Sequence, residues 1–433
     1  MADAAPTQPE RMRASSWWML AVLLLFYTLS LVDRGALSLL VVPIQADLGL
    51  SDIEMGILLG PAFALSYAIF GLPMGWASDR FARRWIIFIA IALWSAAAAG
   101  SGLAWSFATL LIARVLVGVG EAALSPIAYT LLAEGFPPKR MTFALSFYQM
   151  GSKLGAAASF TVVAGAAALA ACLAGTHVPL LGELNAWQLT LVITGAPGVL
   201  LAFLVFTFRE PPRRSHRRDT TETPDLLPYL RKDWRIMVPM LAGMMLLSMA
   251  ILAAGSWVPT LLQRQWGLLP QQYGPVLTAI HLVAAATLVF KGMIVDWLHA
   301  RGVRDAHLRF LMWIMMICTP LSLVAFLTSS LMVFWVCYAV IDILAGQFVL
   351  YIGATVQLVA PSFVRGRIMA LVQACFTLVG MGLGPLLTAI ITERVFADQA
   401  RLGDSLAIVV PGAFALAFVA IRLALPQVRK AVG

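Results

Sequence analysis

Charge is what this sequence has least of. Asp, Glu, Lys and Arg make up 12% of its 433 residues, against 61% hydrophobic residues. A soluble domain carries roughly 25% charged residues. Too little polar surface remains here to cover a water-soluble globule, and the mean hydropathy of +0.88 agrees. Cysteine is scarce too. Cys172, Cys318, Cys337 and Cys375 lie in or beside apolar runs without CxxC spacing. They read as small core residues, not as metal ligands or disulfide partners. No G-x-x-x-x-G-K-[ST] loop occurs, which argues against an ATP-driven pump. Neither HExxH nor GxSxG occurs, and the five histidines do not cluster in sequence. The chain is therefore not read as an enzyme, and no metal or other cofactor is expected.

What fills the chain instead is apolar runs of the length that crosses a bilayer, about 20 residues. A spanning backbone must satisfy its own hydrogen bonds, as a helix or a closed barrel does. The unbroken run from Trp85 to Trp105 lacks the alternation of barrel strands. The expectation is an all-α membrane protein of twelve transmembrane helices. Their approximate limits are 17–43, 55–77, 85–104, 106–134, 141–173, 186–208, 236–262, 272–298, 308–328, 330–360, 366–393 and 405–425. The polar stretch before Trp17 is short and carries no cleavage site at the expected distance, so the first run reads as a retained span, not a secretory signal.

The longest polar interruption, Arg209 to Arg235, divides the spans into two sets of six. This predicts an N-terminal bundle (1–208), a cytoplasmic linker (209–235) and a C-terminal bundle (236–433). With both termini in the cytoplasm, most of the 30 Lys and Arg residues fall on cytoplasmic segments, and Arg264, Arg394 and Arg401 fall outside. The positive-inside rule favours that orientation. The net charge of +9 is thus a topology signal, and its scatter over many loops argues against a nucleic-acid partner.

The halves echo each other. Gly75-Trp76-Ala77-Ser78-Asp79-Arg80 follows span 2, and Gly292-Met293-Ile294-Val295-Asp296-Trp297 follows span 8. The turn after span 4 carries Phe136, Lys139 and Arg140; the turn after span 10 carries Phe363, Arg365 and Arg367. Two matches at equivalent offsets suggest a duplicated six-helix unit with a substrate site between the halves near the midplane, the plan of many secondary carriers.

Charged residues inside spans are costly and usually face a cavity. Span 1 carries Asp33 and Arg34; span 4 carries Arg114 and Glu121. The spacing of the last two puts them on one helix face two turns apart. Asp33 and Arg114 should lie at similar depth, so a contact between them is expected, with Glu121 nearer the cytoplasm. A static ion network that only fixes packing is the competing reading. At the cytoplasmic loop, Asp79 should face the positive N-terminal end of span 11, and Arg83 should reach Glu134. With Gly75, Arg80 and Asp296 these form a candidate conformational latch. Asp342 in span 10 faces a cavity or hydrogen-bonds a neighbouring helix. His281 in span 8 either packs or binds substrate. Lys153 in span 5 either meets an anionic headgroup or snorkels to the cytoplasmic interface, and Lys291 is expected to snorkel. Gly380-Met381-Gly382-Leu383-Gly384-Pro385 should loosen or kink span 11.

Gly75-x-x-x-Asp79-Arg80-x-x-Arg83-Arg84 resembles the signature loop of the major facilitator superfamily, and Arg114-x-x-x-Gly118-x-Gly120-Glu121-Ala122 resembles its span-4 motif. Within it the chain is most similar to the spinster-like branch, whose eukaryotic members export sphingosine-1-phosphate or lysophospholipids. That likeness rests on Val32-Asp33-Arg34, on Pro43 to Asp52, on Gly118 to Ala122 and on Leu383-Gly384-Pro385, and covers almost the whole chain. It implies two pseudo-symmetric six-helix bundles, protons carried by Asp33 and Glu121, and anionic groups bound by Arg34 and Arg114. Asp342, Lys153 and His281 complete the candidate substrate site. Three features depart from the pattern. Ala186-Trp187-Gln188 stands where relatives have Gly-Trp-Arg, Trp297 stands where an Arg usually follows the second-half Asp, and Lys153 and Lys291 match no motif. The Gly-Pro motif of drug antiporters is absent between Tyr148 and Gly165.

The leading expectation is a monomeric, proton-coupled carrier of a lipid-like amphipathic anion, of lysophospholipid or sphingoid-phosphate type. Its partners would be that substrate, protons and membrane lipid, and it would lie in the bacterial inner (cytoplasmic) membrane. The alternative is a proton symporter of small organic anions such as aromatic or sugar acids, which share the D-R of span 1 and the R…G-x-G-E-A of span 4. Polar groups from spans 7, 8 and 10 would favour the small anion, and an apolar C-terminal wall open to the bilayer would favour lipid. A receptor without transport is a third class, separable by uptake into proteoliposomes.

Overall fold

A computed structural model describes residues 14–173, 175, 177–178, 182–212, 226–303, 305–346 and 348–432. Among these, eleven helices are long and apolar enough to cross a bilayer: Ser15–Leu39, Asp52–Ser78, Arg83–Ser101, Phe107–Gly135, Phe143–Leu173, Ala186–Thr207, Trp234–Trp266, Pro270–Ala300, Ala306–Leu327, Arg367–Phe396 and Gln399–Lys430. They correspond to spans 1–9, 11 and 12. Span 10, expected as one helix over 330–360, is instead two shorter helices, Leu331–Ala345 and Val349–Val359. The interruption falls at Gly346, in keeping with the weak hold of glycine on a helix. Residues 213–225 of the linker expected at 209–235 lie outside the described residues; a short helix, Leu226–Lys232, leads into span 7.

The ends of the spans follow local chemistry. Span 2 starts at a capping box, in which Ser51 accepts from the Glu54 N–H and Glu54 accepts from the Ser51 N–H. Ser106 and Thr109 do the same for span 4. The outer extension of span 1, Val41–Leu48, ends at Gly49 with φ 66°, and span 7 ends at Gly267 with φ 63°. Both are left-handed C-caps, which glycine takes without steric cost. Span 11 is π-helical over Phe376–Leu383, just before Pro385. The buried Trp257 of span 7 donates its indole N–H to the Pro385 carbonyl at 2.9 Å. The loosening expected of this Gly-rich segment is thus present, with a neighbouring helix covering the irregular backbone.

Span 1 packs against span 5, span 3 against spans 4 and 6, and span 7 against span 12. The close approach of span 4 explains its G-x-G. A Cβ on Gly118 would stand 2.0 Å from Ser66 Oγ and 2.9 Å from the Phe63 carbonyl of span 2; one on Gly120 would stand 2.8 Å from the Ala90 carbonyl of span 3.

The pseudo-symmetry of the halves extends to their ion pairs, with the charges exchanged. Arg83, at the start of span 3, pairs with Glu134 at 2.6 Å and with Glu210 beyond the end of span 6 at 3.1 Å. Asp305, at the start of span 9, pairs with Arg429 near the end of span 12 at 2.5 Å and with Arg309 at 3.2 Å. Both central residues are buried.

Candidate functional site

The charged residues of spans 1 and 4 meet behind a central cavity of about 210 Å³. Spans 1, 2, 4 and 5 contribute Leu31, Arg34, Phe63, Arg114, Ser159 and Phe160 to its walls, and spans 7, 8 and 11 contribute Leu252, Ser256, His281 and Met381. Arg34 and Arg114 line the cavity, whereas Asp33 and Glu121 lie behind them, 3% and 2% exposed.

The pairing differs from the sequence expectation. Arg34, not Asp33, makes the bond between spans 1 and 4: its Nε donates to Glu121 Oε2 at 2.5 Å, and a second guanidinium nitrogen reaches the same oxygen. Adjacent helical side chains diverge by about 100°, so only one of Asp33 and Arg34 can face Glu121. The long arginine also spans a gap that a short carboxylate cannot. The expected Asp33–Arg114 contact is not formed. Neither oxygen of Asp33 has a hydrogen-bond partner, nor does Glu121 Oε1 or the Nε of Arg114. Glu121 and Arg114 are nonetheless near enough to act on the charge of Asp33. The guanidinium of Arg34 also lies 4.4 Å from the centroid of Phe63 and 5.4 Å from that of Tyr67, two rings that stack on each other. Such faces attract a desolvated cation.

A second cluster gathers at the interruption of span 10. His281 lines the cavity and lies 3.8 Å from Asp342, while its Nδ1 is 2.9 Å from the Leu277 carbonyl. Lys153 donates to the Gly346 carbonyl at 3.4 Å, and the buried Lys291 donates to the Ile343 carbonyl. Lys291, expected to snorkel, and Lys153, for which snorkelling was one of two expectations, both bond the backbone of span 10 instead. The helix break, which the sequence reading did not foresee, supplies the acceptors.

At the loop between spans 2 and 3, Arg83 contacts Glu134 as the sequence suggested, and also Glu210. The side chain of Asp79 lies outside the described residues, so its contact with span 11 does too. Arg80 rests 3.9 Å from the Trp76 centroid. In the second half, Arg301 rests 3.7 Å from the centroid of Trp297, the residue that stands in place of the usual arginine. Asp296 is exposed and Gly75 has open space around its Cα.

The sequence reading missed a cluster at the opposite end of the bundle from that loop. Arg264, at the end of span 7, grips Asp52 of span 2 through two bonds, 2.6 Å to Oδ1 and 3.1 Å to Oδ2, and donates to Gln45 Oε1 at 2.8 Å. Gln45 donates in turn to Asp52 at 2.8 Å. Glu393 of span 11 accepts from the Ile53 N–H at 2.9 Å, and Gln263 donates to the Leu39 carbonyl at 3.0 Å. These contacts tie the outer ends of spans 1 and 2 to those of spans 7 and 11. The available signal was Arg264 itself, a cation on the outer side against the positive-inside bias.

Among the described residues, eleven bilayer-length apolar helices and an interrupted further span, with ionisable groups behind a central cavity, define a multi-pass membrane carrier. The Major Facilitator Superfamily model matches residues 23–385. The chain belongs to that family and is a transporter, not an enzyme. It is 32% identical to the hexuronate transporter of Bacillus subtilis (strain 168) over 42% of this chain and 40% of that protein. It is 28% identical to protein spinster homolog 3 of Danio rerio over 60% of this chain and 52% of that protein. The matched segments thus span about half or less of these relatives. A crystal structure of a bacterial homolog of the human lysosomal transporter spinster, inward-facing and unoccupied, superposes with a TM-score of 0.79 over 97% of both chains at 23% identity. That likeness defines a shared fold.

Proposed function

We propose that the chain is a proton-coupled secondary transporter of amphipathic, lipid-like anions, working by alternating access in a bacterial inner membrane with both termini cytoplasmic. The observation that carries the reading is the layering of the cavity wall. Two arginines face the cavity, and two carboxylates sit behind them with three oxygens free of hydrogen bonds.

An arginine in low dielectric is costly unless paired. In the resting arrangement Glu121 holds Arg34. A proton on Glu121 removes the charge that holds it, and the guanidinium turns to an anion in the cavity. Asp33 does the same for Arg114 at longer range. Proton uptake and anion binding then favour each other, and loss of the proton draws the arginine back and expels the anion. A planar guanidinium suits phosphate and carboxylate, which it holds through two parallel bonds. The remaining wall, with Leu31, Leu58, Phe63, Leu252 and Met381, suits an apolar body attached to that anionic group.

In this proposal the halves rock against each other within a monomer. The Arg264–Asp52–Gln45 cluster holds the outer side closed, and the loop of Asp79 and Arg83 is the counterpart inside. A second reading, a symporter of small sugar acids, draws on Ser159, Ser256 and the His281–Asp342 pair, and on the likeness to a hexuronate transporter.

Proteoliposomes with an imposed pH gradient separate the readings. Gradient-driven movement of a lysophospholipid or an alkyl sulfonate, lost in Asp33→Asn and Glu121→Gln, supports the first. Movement of glucuronate alone supports the second. Transport that ignores the gradient would remove proton coupling from both.

A further inference from the structure

We propose that Lys153 and Lys291, gathered at the break in span 10, form a second anion site, one that takes a phosphate or carboxylate group independently of Arg34 and Arg114. The inference deepens the transport reading: it rests on the chain being an anion carrier, not on the arginines being its binding residues.

The site is built from three spans. Span 10 stops at Ala345 and resumes at Val349, so the regular ladder of backbone bonds is interrupted there, with turn bonds from the Gly346 N–H to the Asp342 carbonyl and from the Phe348 N–H to the Ala345 carbonyl. Lys153 from span 5 and Lys291 from span 8 come to two carbonyls at that break, Gly346 and Ile343. The break is therefore where two ammonium groups from different spans converge. Lys153 is one and two turns along span 5 from Ala156 and Phe160, which line the cavity, so it shares their face. His281, paired with Asp342, lines the cavity directly. The cluster thus borders the space that holds the substrate.

Its charge is unbalanced. Arg34 and Arg114 are matched by Asp33 and Glu121. Lys153 and Lys291 share a single acid, Asp342, which acts on both without an ion-pair contact to either. Two ammonium groups against one carboxylate leave one cation over in apolar surroundings, where an unpaired charge is expensive. Each ammonium has three donors, and the hydrogen bond given to each is to a neutral carbonyl. An oxyanion is the better acceptor, because charge-assisted bonds are roughly twice as strong as neutral ones. The helix-end carbonyls park the lysines through the negative end of the helix dipole, and an arriving anion draws both away. Asp342 opposes that anion, so it sets how tightly the anion is held.

The test is calorimetric titration of the purified full-length carrier with inorganic phosphate at one fixed pH. Lys153→Gln and Lys291→Gln should each weaken phosphate about tenfold or more, the effect of losing one charge-assisted hydrogen bond. Asp342→Asn should tighten it several-fold, a gain that misfolding cannot imitate. The lysine-dependent binding should persist in Arg34→Gln. Phosphate affinity unmoved by both lysine changes, weakened by Asp342→Asn, or absent in the wild type would overturn the proposal. Binding lost only in Arg34→Gln would overturn it while leaving the arginine reading intact. Binding lost only in the lysine variants would support it and count against the arginines. Repeating the titration with saturating alkyl sulfonate assigns the source within a supported site. Displaced phosphate means that the substrate's own anionic group reaches the lysines; retained phosphate means a separate free anion.

Discussion

Arg264→Ala should open the outer side of the carrier. In the structure its guanidinium makes two bonds to Asp52, one to Gln45 and one to the Gln399 carbonyl, with its side chain 11% exposed and that of Asp52 1% exposed. Removing it leaves the Asp52 carboxylate buried, with Gln45 as its remaining side-chain donor. Losing a charge-assisted pair of this kind costs about 2–4 kcal/mol, a value held below the upper range for buried pairs because Arg264 reaches solvent. A state is favoured only by contacts that it alone makes. If these contacts belong to the outer-closed state, its population relative to the outer-open state should fall roughly 30- to 1000-fold. Double electron–electron resonance between labels at the exposed Ala46 and Gln271, with the four native cysteines replaced, reads the shift directly. The variant should gain a longer outer distance. Gln45→Ala, which spares the bidentate pair, should shift it less. A distance distribution identical to that of the parent protein would show that the cluster contributes only to folding and does not hold a state.

Two predictions concern the scaffold. Arg83→Ala leaves Glu134 and Glu210 facing each other without their shared cation, and should lower stability by about 3 kcal/mol, read as a lower thermal midpoint; an unchanged midpoint would mean that water replaces the guanidinium at no cost. Gly118→Ala forces its new Cβ against the Phe63 carbonyl and Ser66, and should cost about 1–3 kcal/mol, whereas Gly75→Ala meets nothing within 4 Å and should fold normally. Equal expression and melting of the two glycine variants would contradict the close approach of spans 2 and 4.

The fold was legible because bilayer length, charge scarcity and the duplicated G-x-x-x-D are all one-dimensional signals. Hydrophobicity alone cannot register a break such as that at Gly346, since the residues on both sides stay apolar. The identity of the charged residues in spans 1 and 4 was equally legible, but their pairing was not. Depth along a helix can be counted from sequence; rotation about its axis relative to a neighbour cannot, and rotation decides that Arg34 and not Asp33 meets Glu121. The outer cluster joins residues as far apart as Gln45 and Arg264, so nothing local marks it except one cation on the unexpected side. The destination of Lys291 was missed for the same reason as the break: without the acceptors at span 10, an interfacial destination is the cheaper one.

Calorimetry of an alkyl sulfonate, whose own charge does not titrate in this range, tests the coupling of proton and anion most directly. If protonation of Glu121 and Asp33 frees the arginines, as proposed, wild-type affinity should rise as the pH is lowered from about 8 to about 5. Glu121→Gln mimics the protonated acid at every pH. It should bind the sulfonate tightly even at the alkaline end, and Asp33→Asn with Glu121→Gln should bind it with no pH dependence. A wild-type affinity that falls on acidification, or a pH dependence that survives in the double variant, would contradict the account.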